Sequence, residues 1–183
     1  MTKTDRLLSE FRNLNVWRRG SERAPHKPLL VLLALGRLQS SDQRLLPFDQ
    51  IESPLSDLLH EFGPPRKSVH PELPFYHLTN DGVWEIEDHV DLQIRRGSKN
   101  PKRTELRKFR IAGGFPEPLY KTLKQRPEAV RELTRQILES HFPESLHESI
   151  LSAVGLSLDG SQRSERRDAS FRNTIISAWG HKC

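Results

Sequence analysis

Two short stretches of this 183-residue chain hold the residue types that could do chemistry. The first is Arg23-Ala24-Pro25-His26-Lys27-Pro28, which runs straight into Leu29-Leu30-Val31-Leu32-Leu33-Ala34-Leu35. A helix N-terminus carries unpaired backbone N–H groups and a partial positive charge, so His26 and Lys27 there form a candidate phosphate site. Cations at that end oppose the helix dipole by about 0.3 to 1 kcal/mol, and a bound anion would remove the opposition. Without a ligand, the same residues read as solvated loop ends braced by prolines.

The second stretch joins Gly63-Pro64-Pro65-Arg66-Lys67-Ser68 to His70-Pro71-Glu72-Leu73-Pro74-Phe75-Tyr76-His77. Apolar residues beside basic ones would suit a weakly hydrated group, or would simply fill the core beneath a loop. Asn80 and Asp81 follow, and they could read adenine and cytosine edges, although turn chemistry accounts for both without nucleic acid. Between Arg95 and Arg110 lie eight Lys/Arg and one acidic residue, Glu105. The rest of the chain holds 29 − 8 = 21 basic and 24 − 1 = 23 acidic residues, so the whole net charge of +5 comes from this segment. That concentration suits a polyanionic partner such as DNA, with Ser98, Lys99, Lys102 and Arg103 as phosphate contacts, although charge runs are commonly just solvated surface.

Catalytic signatures are absent from residues 1 to 160. There is no phosphate-cradling Gly-Lys-Ser/Thr loop, no nucleophile elbow and no Cys/His set with metal-ligand spacing. His141 and His147 fall on helical patterns as surface histidines. The single cysteine, Cys183, excludes an internal disulfide framework and points to a reducing compartment, the cytoplasm. A seven-residue leucine-rich run is far short of the roughly 18 apolar residues that a membrane span requires, so no membrane is expected.

The elements that must position these residues read as mostly helical. Leu7, Phe11 and Leu14 predict a first helix over 4 to 15, capped by Thr4, and the leucine run predicts a central one from Lys27 or Pro28 to about Leu38. Arg44 to Phe48 reads as a short strand, and Ser53-Pro54 as the start of a helix with Leu55, Leu58, Leu59 and Phe62 on one stripe. Phe75–Leu78 and Val83–Ile86 flank Thr79-Asn80-Asp81-Gly82, which predicts a hairpin with residues 79 to 82 at its tip. The class is therefore α+β, mostly helical with a small hairpin, in a winged-helix-like order. A helix over 104 to 109, a sharp bend at 111 to 116 and helices near 117–125, 128–141 and 144–154 complete the domain, with Gly155 as a C-terminal cap. Ser157 to Ser170 is polar, and Phe171, Ile175, Ile176 and Trp179 restart an amphipathic pattern. The expected division is a domain over 1–158, a linker over 159–169 and the start of another module over 170–183.

Several motifs in order then resemble a known family. Arg23-Ala24-Pro25-His26-Lys27-Pro28-Leu29-Leu30, Phe62-Gly63-Pro64-Pro65-Arg66, His70-Pro71-Glu72-Leu73-Pro74-Phe75, Asn80-Asp81-Gly82-Val83-Trp84-Glu85, Ala112-Gly113-Gly114-Phe115 and His141-Phe142-Pro143-Glu144-Ser145-Leu146-His147 look like the sulfur-binding domain of phosphorothioate-dependent type IV restriction endonucleases of the McrA-like HNH kind. The resemblance implies recognition of duplex DNA in which sulfur replaces one non-bridging phosphate oxygen, in the service of bacterial restriction. It places the basic pair on His26 and Lys27, with Arg66 as a further phosphate anchor, and the sulfur pocket on Leu73, Pro74 and His77. Leucine stands where the family pattern has tyrosine, and His77 where it has a small residue. Residues 170 to 183 are similar to the start of the HNH nuclease module, with Cys183 as a first zinc ligand. The resemblance thus implies no catalytic residue and no cofactor within this stretch, zinc and a divalent metal in the nuclease, and a homodimer for the whole protein. The readings to be separated are this one, a winged-helix regulator of unmodified DNA, and a protein-interaction domain.

Overall fold

The computed structural model describes residues 9, 11, 14, 18–19, 22–87 and 100–158. Outside them lie most of the helix expected over 4 to 15, the linker over 159–169, the segment 170–183 with Cys183, and the candidate contacts Ser98 and Lys99.

Two short antiparallel strands, β1 (Arg18–Arg19) and β2 (Glu22–Arg23), lead into α1 (His26–Ser40). As its apolar circumference predicts, α1 is central, with Leu29, Leu30, Val31, Leu32 and Leu35 fully buried. Around it pack α2 (Phe48–Phe62), α3 (Glu72–His77), α6 (Pro127–His141) and α7 (His147–Val154), while α5 (Glu117–Gln125) lies against α6. A short helix, α4 (Arg103–Lys108), docks on α2. The helices expected near 117–125 and 128–141 are present, the last one begins as a 3-10 turn over Glu144–Leu146, and Gly155 closes it in the left-handed conformation at φ 72°.

Helix α2 begins five residues before the expected Ser53-Pro54 start and carries Pro54 inside it. Phe48 and Ile51 extend the buried stripe of Leu55, Leu58 and Leu59 backward by two turns, and the Phe48 N–H is held by the Ile111 carbonyl at 2.8 Å. Burying those two side chains contributes about 1.5 to 3 kcal/mol each. That matches or exceeds the ~3 kcal/mol an interior proline costs.

The sheet is three-stranded and antiparallel in the order β3 (Leu45–Pro47), β5 (Ala112–Gly114), β4 (Glu85–Ile86), in keeping with a mostly helical α+β class. The hairpin predicted over 75 to 86 is not its source. Residues 72 to 81 are helical instead, as α3 followed by a 3-10 turn over Leu78–Asp81 that Gly82 ends at φ 73°. Only Glu85–Ile86 is strand, and its partner is β5. The predicted bend at 111 to 116 is in fact the central strand. Its glycines are required by close approach: a Cβ on Gly114 would lie 2.1 Å from the Arg44 carbonyl oxygen, and one on Gly113 would lie 2.7 Å from Trp84 Nε1.

Prolines explain why residues 72 to 77 coil rather than extend. Pro71 and Pro74 have φ preset near the helical value, and the missing N–H of Pro74 falls in the first turn, where no helical partner exists. Phe75 and Leu78, fully buried, then face inward three residues apart. Phe75 stands edge-on to Phe48 at 5.1 Å and to Trp84 at 5.8 Å, and Trp84 continues to Phe115 at 5.9 Å. This aromatic chain ties α3 to the sheet and to α2, so the outer face of α3 is held in place from behind.

Candidate nucleic-acid interface

The face of α3 opposite Phe75 presents Leu73, Pro74 and His77, which a helix brings together because i, i+3 and i+4 positions adjoin. They form one wall of an open cavity of about 240 Å³. The same cavity is lined by Ala24, His26 and Lys27 at the start of α1 and by the rim loop with Arg66, Ser68, Val69 and His70. Six predicted site residues, His26, Lys27, Arg66, Leu73, Pro74 and His77, thus share a single space, although 51 positions separate the first from the last.

The electrostatics of the cavity are set from beneath. Lys27 Nζ lies 2.5 Å from Asp81 Oδ2, with the Lys27 side chain 15% and the Asp81 side chain 2% exposed. Asp81 therefore does not face outward to read a base: it is a buried counter-ion that points Lys27. Burial first, then the neighbouring Arg66 guanidinium and His70, hold the His26 imidazole below its usual pKa. Removal from water penalises the charged imidazolium, and the adjacent Arg66 charge adds to that penalty.

The rim loop is braced by a chain of polar contacts. Ser68 Oγ meets His70 Nε2 at 3.4 Å, and His70 Nδ1 meets Glu72 Oε1 at 2.9 Å. Arg103 Nε then donates to Glu72 Oε2 at 3.1 Å, its terminal nitrogen donates to the Val69 carbonyl at 2.7 Å, and Nε also approaches Glu52 at 3.3 Å. Arg107 closes the chain with a two-pronged pair on Glu52. The Arg103 guanidinium, expected at the phosphate surface, is spent on holding the loop. Lys102 stands outside the cavity, 43% exposed and 3.4 Å from Glu105. Asn80 is exposed on the 3-10 turn.

Sequence reasoning passed over several participants, Ser68, His70 and Glu72 among them. Ser68 and His70 lie in the quoted motifs but were not expected to line the site, and Glu72 was not expected to brace it. The 73, 74, 77 spacing was the available signal, since those positions meet only on a helix. Among the described residues no cluster of three or more His, Cys, Asp or Glu could hold a metal, and no helix is long and apolar enough to cross a membrane. His147 is tied to the Phe142 carbonyl at 3.0 Å.

The fold has solved relatives. It superposes on the sulfur binding domain of ScoMcrA complexed with phosphorothioated DNA, with a TM-score of 0.72 at 23% identity, covering 81% of this chain and 94% of that one. The sulfur binding domain of SprMcrA complexed with phosphorothioated DNA gives 0.68 at 22% identity, covering 85% and 95%. The type IV phosphorothioation-dependent restriction endonuclease ScoMcrA gives 0.66 at 23% identity, covering 85% of this chain and 28% of that larger one. No curated protein matches the chain. The model of the ScoMcrA-like DNA sulfur-binding domain matches residues 4–159, most of the chain. Carrying that family's motifs in order on its fold, this chain belongs to the ScoMcrA-like DNA sulfur-binding domains.

Proposed function

We propose that this domain binds duplex DNA carrying a phosphorothioate linkage, seats the sulfur against Leu73, Pro74 and the His77 ring, and grips the remaining phosphate oxygens with His26, Lys27 and Arg66. The observation that carries this reading is that Leu73, Pro74 and His77 line the same cavity as the basic residues His26, Lys27 and Arg66. Either half alone would be unremarkable: cations bind any phosphate, and apolar side chains bind none. Together they sort one from the other. A phosphorothioate keeps its negative charge while its sulfur is larger and less strongly hydrated than oxygen. An oxygen placed on the same wall loses water without gaining a hydrogen bond, at about 1 to 3 kcal/mol. That corresponds to roughly ten- to a hundredfold discrimination.

The larger role proposed is to deliver a linked HNH nuclease to marked DNA. A regulator of unmodified DNA would have no use for an apolar wall on its phosphate site. Competition binding at fixed salt, between a duplex with one phosphorothioate and its all-oxygen twin, tests the proposal. The sulfur duplex is expected to win by that factor, and equal affinities would sink the reading.

Two further results are expected of the same assay. Lys102→Glu, outside the cavity, weakens both duplexes alike and flattens the salt dependence, because it removes a counter-ion-releasing contact and touches nothing that distinguishes sulfur. An anion beside His26 favours its charged form, so binding takes up a proton. Affinity then rises as pH falls, by less than tenfold per unit for one proton, and levels off once the free protein is itself protonated, below the ordinary imidazole value of about 6.5. His70, His77, Lys27 and Arg66 border the same space, so the profile of His26→Gln is subtracted from that of the wild type. An unchanged profile in His26→Gln would show that another group takes up the proton.

A further inference from the structure

The His77 ring is the least expected part of the apolar wall, because an imidazole carries an N–H that any phosphate oxygen would accept. Left free, it would favour the ordinary linkage and undo the discrimination. The structure shows where that N–H goes. His77 Nε2 lies 2.8 Å from Asn100 Oδ1, and Asn100 is not among the residues that line the cavity. The amide oxygen only accepts, so Nε2 carries the proton, and a neutral ring with its single N–H on Nε2 has a lone pair on Nδ1. Such a ring offers the cavity carbon edges and an acceptor, neither of which rewards an anionic oxygen. Tyr76 packs edge-on to the same ring at 5.4 Å and further limits its rotation.

We propose that Asn100 is a positioning residue for selectivity: by holding the Nε2–H of His77, it keeps a polar side chain from acting as a phosphate-oxygen donor, and so lets histidine serve as a sulfur wall. This rests on the reading of the cavity as a phosphorothioate site. Asn100 also stands at the start of the stretch leading to α4, so the residue that guards the wall is chained to the arginines that brace the rim.

Its removal has a signature that loss of packing does not share. In Asn100→Ala the ring is free to turn an N–H toward the cavity, so the all-oxygen duplex gains affinity and the sulfur preference falls by about tenfold, the scale of one hydrogen bond to a charged acceptor. In a His77→Ala background there is no N–H to release, so adding Asn100→Ala leaves the ratio of His77→Ala unchanged. Imidazole ¹⁵N spectra of the labelled protein are expected to show the Nε2–H form in the wild type and a mixture in Asn100→Ala, with unchanged melting temperatures reporting an intact fold. A wild type that prefers sulfur, with Asn100→Ala showing the same ratio, overturns this inference alone. So does a further change of ratio when Asn100→Ala is added to His77→Ala, or an Nδ1–H wild-type ring. A wild type without sulfur preference overturns the phosphorothioate reading together with the inference.

Discussion

Pro74→Lys is expected to bring the affinities for the sulfur and all-oxygen duplexes to the same value, from a starting ratio of roughly ten- to a hundredfold. The argument turns on what the position can tolerate. Pro74 is the third residue of α3, where its missing N–H serves no helical bond, so lysine does not disturb the backbone there. The ring is buried on the cavity wall between Leu73 and His77, so a lysine stem follows the same surface and delivers its ammonium to the bound phosphate. The all-oxygen linkage then finds a donor where it had met only carbon and binds more tightly. The sulfur linkage loses its apolar seat but keeps the cations. The measurement is the same competition assay, with a thermal melt beside it. If the ratio survives in a folded Pro74→Lys protein, the sulfur does not sit on α3.

On the proposed phosphorothioate reading, the cavity divides labour between its walls. The start of α1 supplies charge that every phosphate satisfies equally, so it sets affinity and salt dependence but not preference. The face of α3 supplies no charge and sets the preference. Between them the rim loop, braced through Glu72 and Arg103, fixes the distance at which the two act on one linkage.

How much of this was legible beforehand depended on pattern length. Helix α1 was plain from seven consecutive apolar residues behind two prolines, and α6 from Val130, Leu133, Ile137 and Leu138 at helical spacing. The sheet was not, because strands of two or three residues have no room for alternation. Ala112-Gly113-Gly114 has almost no side chains to pattern, and its place is dictated by how closely Arg44 and Trp84 approach it. The turn residues Thr79 to Gly82 signalled a reversal correctly, but a 3-10 turn ending a helix uses the same residues as a hairpin. The cations of the site could be found from composition. Their carboxylate partners could not, since Lys27 and Asp81 are 54 positions apart, and Arg103 and Glu72 are 31 apart. The family resemblance is what puts a sulfur pocket on Leu73, Pro74 and His77, and the fold brings those three into one cavity with His26, Lys27 and Arg66.

Asp81→Ala should be the most destabilising single change at the site, by about 3 kcal/mol, the lower end of what removing one partner from a buried ion pair costs. The lower end applies because Lys27 keeps 15% of its side chain exposed and its ammonium can turn partly into the cavity, whereas the lost carboxylate was 2% exposed. Thermal or urea unfolding measures the loss, and Lys27→Met with Asp81→Ala should recover much of it, since no buried charge is then left unpaired. Binding supplies a second readout. With its counter-ion gone, Lys27 is fully available to a phosphate, so both duplexes should bind Asp81→Ala more tightly while the ratio between them stays where the α3 wall sets it. A base-reading Asp81 would behave in the opposite way. Its loss would leave stability untouched and change which bases are preferred beside the linkage. A variant as stable as the wild type, with altered base preference, would therefore return Asp81 to the DNA surface and leave Lys27 without its anchor.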